Sequence, residues 1–191
     1  MSQLRPAVFL DRDGTLNVER SYITRPEDLV LLPGVAAAVL RLQRAGFVCV
    51  VVTNQAGVGR GLMTHADLDR VHAELARQLA HDSVTLDGIY FCTFAPSTND
   101  QAAVEHPERK PAPGMLLRAA SELHLDLTRS WMIGDTLRDI LAGQGAGCRE
   151  CILVRTGHAI EEEEFHRASP FILLDDLSAA VDWILAKHPQ V

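Results

Sequence analysis

Short, almost unbroken apolar runs alternate with helical stripes along this chain. Residues Ala7–Leu10, 47–52, 86–91, 131–133, 151–154 and 171–174 form the runs. Runs of this kind, without strict polar alternation, predict strands buried on both faces, as in a parallel sheet. Val35, Val39 and Leu42 mark one helical stripe, closed by Gly46. Leu68, Val71, Leu75 and Leu79 mark another, behind Thr64-His65-Ala66-Asp67, a capping-box sequence with Asp for the usual Glu. Pro113 predicts the start of a helix carrying Leu116, Ala120 and Leu123. Two further helices are expected over 137–145 and Leu177–Lys187. Repeated βα units imply right-handed crossovers, hence an α/β fold with a doubly wound parallel sheet. The stretch 93–111 has no such pattern, and loops beyond ~12–15 residues are usually functional or mobile. The acidic run 161–164 reads as a solvated helix face.

Composition narrows this picture. A length of 191 residues suits one domain, expected to span 1–191. The apolar runs are far shorter than the ~20 residues a membrane span needs. The opening MSQLRPAVFLDRDG lacks a signal-peptide layout, so a cytoplasmic protein without membrane partners is expected. A net charge of −7 argues against nucleic acid as partner. It leaves room for a phosphorylated small molecule, which needs only a local positive pocket or a cation. Cys49, Cys92, Cys148 and Cys151 are expected as free thiols. Cys148 and Cys151 form a C-x-x-C, but Cys151 opens an apolar run and reads as core.

Chemistry-bearing residues collect where the predicted strands end, the place where doubly wound sheets bind ligands. Asp11 and Asp13 follow the first strand, with Gly14-Thr15 behind them. Two carboxylates on a buried strand end raise each other's pKa unless a cation is present. A divalent cation such as magnesium suits hard oxygen ligands. One carboxylate then serves as nucleophile and the other as proton carrier. Thr53-Asn54-Gln55 ends the longest run, where a hydroxyl and turn N–H groups can cradle phosphate. Arg109-Lys110 precedes a predicted helix and offers charge to an anion. Asp135, with Asp139 one helical turn on, supplies a second acidic pair. Each element alone also fits a turn, a helix cap or a solvated pair. Their occurrence together, in one βαβ framework, points to phosphoryl chemistry.

Asp11-Arg12-Asp13-Gly14-Thr15, Thr53, Lys110 and Gly134-Asp135 with Asp139 match the four motifs of the haloacid dehalogenase superfamily, which this chain resembles. Within it, FLDRDGTLN, LPGV, VVTNQAGVGRG, RKPAPGML, GDTLRDI and LVRTG resemble the D-glycero-D-manno-heptose 1,7-bisphosphate 7-phosphatases, over roughly 7–157. Histidinol-phosphate phosphatases share DRDGT, TNQ and RKP, so the alternative substrate is histidinol phosphate or another small phosphomonoester. A non-catalytic magnesium- and phosphate-binding protein is the alternative of another kind.

The resemblance implies Asp11 as nucleophile, Asp13 as acid and base, and Thr53 and Lys110 as stabilisers of the transferring phosphoryl group. Asp11, Asp13 through its main-chain carbonyl, and Asp135 would hold magnesium, with Asp139 behind them. Glu19, Arg20, Ser21, Tyr22, Asn54, Gln55, Ala56 and Arg109 would meet a phosphorylated sugar, and the protein would act as a monomer. About 57 residues separate Thr53 from Lys110, too few for a cap domain of ~50 residues or more beside the helix and strand already there. Two departures stand out. Relatives carry a zinc loop, C-x-H … C-x-C-R-K; here Cys92 remains, Phe94 replaces one ligand, and His106 and Glu108 occupy the second half. Three mixed groups fall short of the four-ligand sites zinc takes, so a zinc-free loop is expected. Thr136 stands where relatives with an intact zinc loop often have Lys.

Overall fold

The computed structural model describes residues 4–159, 162–168 and 170–188. Six strands form one sheet: β1 (Ala7–Leu10), β2 (Val48–Asn54), β3 (Gly88–Cys92), β4 (Trp131–Gly134), β5 (Glu150–Val154) and β6 (Ile172–Leu174). Their order is β3-β2-β1-β4-β5-β6, and every pairing is parallel. The helices are α1 (Val35–Arg44), α2 (Ala56–Gly59), α3 (His65–Ala80), α4 (Gly114–Leu123), α5 (Leu137–Ala146) and α6 (Leu177–Lys187).

The apolar runs are strands because both of their faces are covered. Val8, Leu10, Cys49, Val51, Trp131 and Ile133 point into one core, closed by α1, α3 and α6. Ala7, Phe9, Val50, Val52 and Met132 point into the other, closed by α4 and α5. Fully burying one such side chain contributes ~1.5–3 kcal/mol, so two layers stabilise strands as short as four residues without cross-links. All four cysteines are free, and only Cys148 is half-exposed. Among the described residues no helix is long and apolar enough to cross a membrane.

The capping box forms as expected: Thr64 N–H donates to the Asp67 carboxylate and Asp67 N–H to Thr64 Oγ1. Some boundaries differ. Pro113 is the N-cap of α4 rather than its first residue. The short helix α2 was not predicted, since Ala-Gly-Val-Gly carries neither periodicity nor propensity. Residues 162–168 form a 3-10 helix, while Glu161 and the side chains of 162–164 lie outside the described residues.

β1 lies mid-sheet. From it the chain winds outward to β2 and β3 on one side, and to β4, β5 and β6 on the other. The crevice at this switch point opens at the carboxyl ends of β1, β2 and β4, and the candidate residues converge there.

Candidate active site

Asp11 follows β1 directly, its N–H bonded to Ile133 O of β4. Its side chain accepts from Arg12 N–H (2.8 Å) and lies 2.8 Å from Lys110 Nζ. Asp135 follows β4, and Asp139 sits in the first turn of α5. One oxygen from each of Asp11, Asp135 and Asp139 falls within 4.8 Å of the others. Lys110, 2% exposed, sits among them, 2.5 Å from Asp139 Oδ1, and donates to Val52 O at 2.8 Å. Burial pushes the Asp11 pKa well up; Lys110 opposes this and the Asp139 and Asp135 carboxylates reinforce it. For Lys110 burial pulls down, but Asp11 and Asp139 outweigh it, so the ammonium stays charged.

Three carboxylates facing one ammonium leave excess negative charge in a buried place. Asp135 Oδ1 is buried and has no hydrogen-bond partner, although its other oxygen accepts from His158 N–H (2.9 Å) and pairs with His158 Nδ1 (2.8 Å). An orphaned oxygen inside an all-carboxylate cluster fits a hard divalent cation. The seat is tightly shaped. A Cβ at Gly14, whose φ is +78°, or at Gly157 would overlap the Asp135 carboxylate. Asp139 divides its roles: Oδ2 accepts the Thr136 N–H (3.0 Å) and hydroxyl (2.6 Å), capping α5, while Oδ1 faces Lys110.

The Asp13 side chain stands apart from this cluster. It accepts from Arg12, from Asn17 Nδ2 (3.0 Å) and from Gln55 Nε2 (2.9 Å). Burial alone would raise its pKa, but the Arg12 charge and these hydrogen bonds prevail and lower it. The Gln55 amide also donates to Thr53 Oγ1 (2.8 Å) and accepts from Arg12 (3.2 Å). Thr53 therefore keeps its hydroxyl proton for an anion. Asn54 spends its amide on the main chain of Lys110, donating to its carbonyl (3.0 Å) and accepting its N–H (3.1 Å). It holds the lysine and also lines the cavity.

These groups form the floor of a cavity of about 350 Å³, also lined by Glu19, Ser21, Tyr22, Ala56 and Arg109. Arg20, expected with them, is exposed and lines no part of it. Sequence reasoning missed Arg60, Arg138 and His158, which also line the cavity. Arg138 lies two residues beyond Thr136, whose hydroxyl is spent on Asp139. Burial lowers the Arg109 pKa, and the neighbouring charges of Arg138 and Arg60 add to that.

Cys92, His106 and Glu108 do not converge as a ligand set. Cys92 Sγ is 3.7 Å from His106 Nδ1, but that nitrogen accepts Glu108 N–H (3.1 Å), and the Glu108 carboxylate pairs with Arg118 (3.1 Å). Phe94 stacks on His106 instead, ring centres 5.2 Å apart.

The family model described as HAD-hyrolase-like matches residues 108–180. A D-glycero-D-manno-heptose-1,7-bisphosphate 7-phosphatase of Thermosynechococcus vestitus is 43% identical over 188 residues, 94% of this chain and 95% of that one. A D-glycero-beta-D-manno-heptose-1,7-bisphosphate 7-phosphatase of Escherichia coli is 40% identical, over 95% of this chain and 96% of that one. The crystal structure of D,D-heptose 1.7-bisphosphate phosphatase from B. bronchiseptica, complexed with magnesium and phosphate, superposes with a TM-score of 0.81 at 31% identity, covering 96% of this chain and 99% of that one. With its strand-end carboxylates, buried lysine and near full-length kinship, the chain belongs to the heptose-bisphosphate phosphatase family of haloacid dehalogenase-like hydrolases.

Proposed function

We propose that this chain is a magnesium-dependent phosphomonoester hydrolase that removes the 7-phosphate of D-glycero-D-manno-heptose 1,7-bisphosphate. The observation that carries the reading is the convergence of Asp11, Asp135 and Asp139 on Lys110 at the cavity floor. Asp11 attacks phosphorus, and the bond to the sugar oxygen breaks as an aspartyl-phosphate forms. Asp13 gives its proton to that oxygen, then takes one from the water that hydrolyses the intermediate. Arg12, Asn17 and Gln55 hold the Asp13 carboxyl in place for both transfers. Thr53 and Lys110 donate to the transferring oxygens, and positioning with charge neutralisation does the rest. Magnesium, when bound by Asp11, Asp135 and the Asp13 carbonyl with Asp139 behind, neutralises the phosphoryl oxygens and the carboxylate crowd.

The upper cavity supports a bisphosphate over a monoester. Arg60, Arg109 and Arg138 all line it, and Arg60 and Arg138 have no ion pair among the described residues. Guanidinium groups that repel one another, as at Arg109, are relieved by a second phosphate. Arg138 thus supplies on α5 the charge that Thr136 lacks. We read the chain as one phosphatase domain over 1–191, acting as a monomer in the cytoplasm. The test is kcat/KM for both anomers of the heptose bisphosphate, heptose 7-phosphate and histidinol phosphate. The bisphosphate is expected to lead by at least about tenfold, or 1.4 kcal/mol. Preference for histidinol phosphate would refute the substrate, and no magnesium-dependent turnover at all would refute the enzyme.

A further inference from the structure

The long segment 93–113 is held in two different ways. Its inner part is tied to the sheet end. Arg109 donates to Phe94 O (3.1 Å), and the main chain of Lys110 exchanges two hydrogen bonds with Asn54. Its outer part, 97–105, is a strap over the cavity, with exposed residues from Ser97 to Asp100. No apolar core holds the strap, and ordering it costs backbone entropy at every residue.

A single carboxylate closes it. Ser97 N–H donates to both oxygens of Glu105 (3.0 and 2.9 Å), the Ser97 hydroxyl donates to Oε2, and Thr98 N–H reaches Oε1 at 3.3 Å. Hydrogen bonds to a charged acceptor are roughly twice as strong as neutral ones. Beyond this buckle the strap is moored twice. Asp100 pairs with Arg167 (2.7 Å), and Gln101 Oε1 accepts Leu137 N–H (3.1 Å) in the first turn of α5, beside Arg138. Between buckle and moorings lie Thr98 and Asn99, which line the cavity. Thr98 Oγ1 accepts Asp100 N–H (3.1 Å), which leaves its hydroxyl proton to donate.

We propose that Glu105 is a positioning residue. Its carboxylate buckles the strap, so that Thr98 and Asn99 are held as specificity-determining contacts to the non-reacting part of a phosphorylated sugar. This rests on reading the cavity as a sugar-bisphosphate site. The contacts that fix Asp11, Thr53 and Lys110 come from Arg12, Val52, Asn54, Gln55, Ile133 and Asp139, and none comes from 97–105. Loss of the buckle therefore separates recognition from chemistry.

The experiment compares wild type, Glu105→Ala and Glu105→Gln on the heptose bisphosphate and on p-nitrophenyl phosphate, whose flat aryl group has nothing for the strap to recognise. Glu105→Ala is expected to raise KM for the bisphosphate about tenfold, with kcat within about twofold, the pattern of lost uniform binding. Turnover of the aryl phosphate and the melting temperature should stay near wild type. Glu105→Gln, which keeps one acceptor oxygen, should fall between. Unchanged preference for the bisphosphate in Glu105→Ala would overturn the proposal, as would an equal loss on both substrates. A wild type that does not prefer the bisphosphate over the aryl ester would instead overturn the substrate reading, and the strap's role with it.

Discussion

Replacing Lys110 with Met tests the electrostatics of the floor without emptying it. The methionine keeps most of the volume and removes the ammonium that lies 2.8 Å from Asp11 and 2.5 Å from Asp139. Breaking a buried ion pair by deleting one partner costs about 3–5 kcal/mol. At ~2–4 °C per kcal/mol for a chain of this size, the melting temperature in chelator should fall by about 10 °C. Magnesium should return part of the loss, because a ligand at a hundred times its Kd stabilises by ~2.7 kcal/mol. The crowded carboxylates that lost their lysine should gain from that ion at least as much as wild type does. Activity behaves differently: a lost charge donor to the transferring phosphoryl group costs ~10²–10³-fold, and magnesium should not restore it. Thermal melts of both proteins, with EDTA and with excess magnesium, read the first effect, and phosphate release reads the second. Lys110→Met as stable as wild type in chelator, or a melting point that ignores magnesium in both proteins, would refute a floor balanced between lysine and cation.

Four further outcomes are expected. Asp11→Asn should abolish phosphate release while the protein stays folded, and Asp13→Asn should cost ~10²–10⁴-fold; near wild-type turnover in Asp11→Asn would remove the nucleophile from the mechanism. EDTA should end activity and magnesium restore it, with calcium far less effective because its looser, larger shell misplaces ligands; full turnover after exhaustive chelation contradicts this. Cys92→Ser should leave activity nearly unchanged, and elemental analysis of protein purified without chelator should find no zinc; near-stoichiometric zinc, with activity lost in Cys92→Ser and His106→Ala, is the opposing result. Burial, aided by the Arg12 charge and opposed by Asp13, pulls the His72 pKa to about 4. The unfolded chain then binds the extra proton, so stability should fall as pH drops from about 6.5 to 4, by about 3 kcal/mol. Urea titrations of His72→Gln should show a correspondingly flatter pH dependence, and identical slopes would exclude His72 as the source.

Much of the fold and floor was legible because both follow from where buried strands stop. An apolar run that ends in Asp11, Thr53 or Gly134-Asp135 reports a polar group at a sheet end, and a parallel sheet brings all such ends to one edge. What the run does not report is which neighbours each end acquires. That depends on strand order. β5 lies beside β4, so the turn after β5 delivers His158 to Asp135 across 23 positions of chain. Residues 155–158 read locally as an ordinary turn, and nothing in them announces that Gly157 must lack a Cβ to seat a carboxylate.

The same gap explains residues whose further contacts were not foreseen. Asn54 lines the cavity as expected, and its amide also holds the main chain of Lys110. Asp139 was read as either a cap or a neighbour of the cation, and its two oxygens serve both sides. Arg138 and Glu105 carry no local pattern. A charged residue in a helix's first turn, or in a polar loop, is spelled the same way whether it faces water or a ligand. The strap meets the start of α5 through a contact between segments more than 30 positions apart, made by Gln101 and Leu137. Periodicity locates the scaffold, and residue chemistry names candidates at its edge. The division of labour among those candidates is a property of hydrogen-bond partners, which only the folded chain assigns.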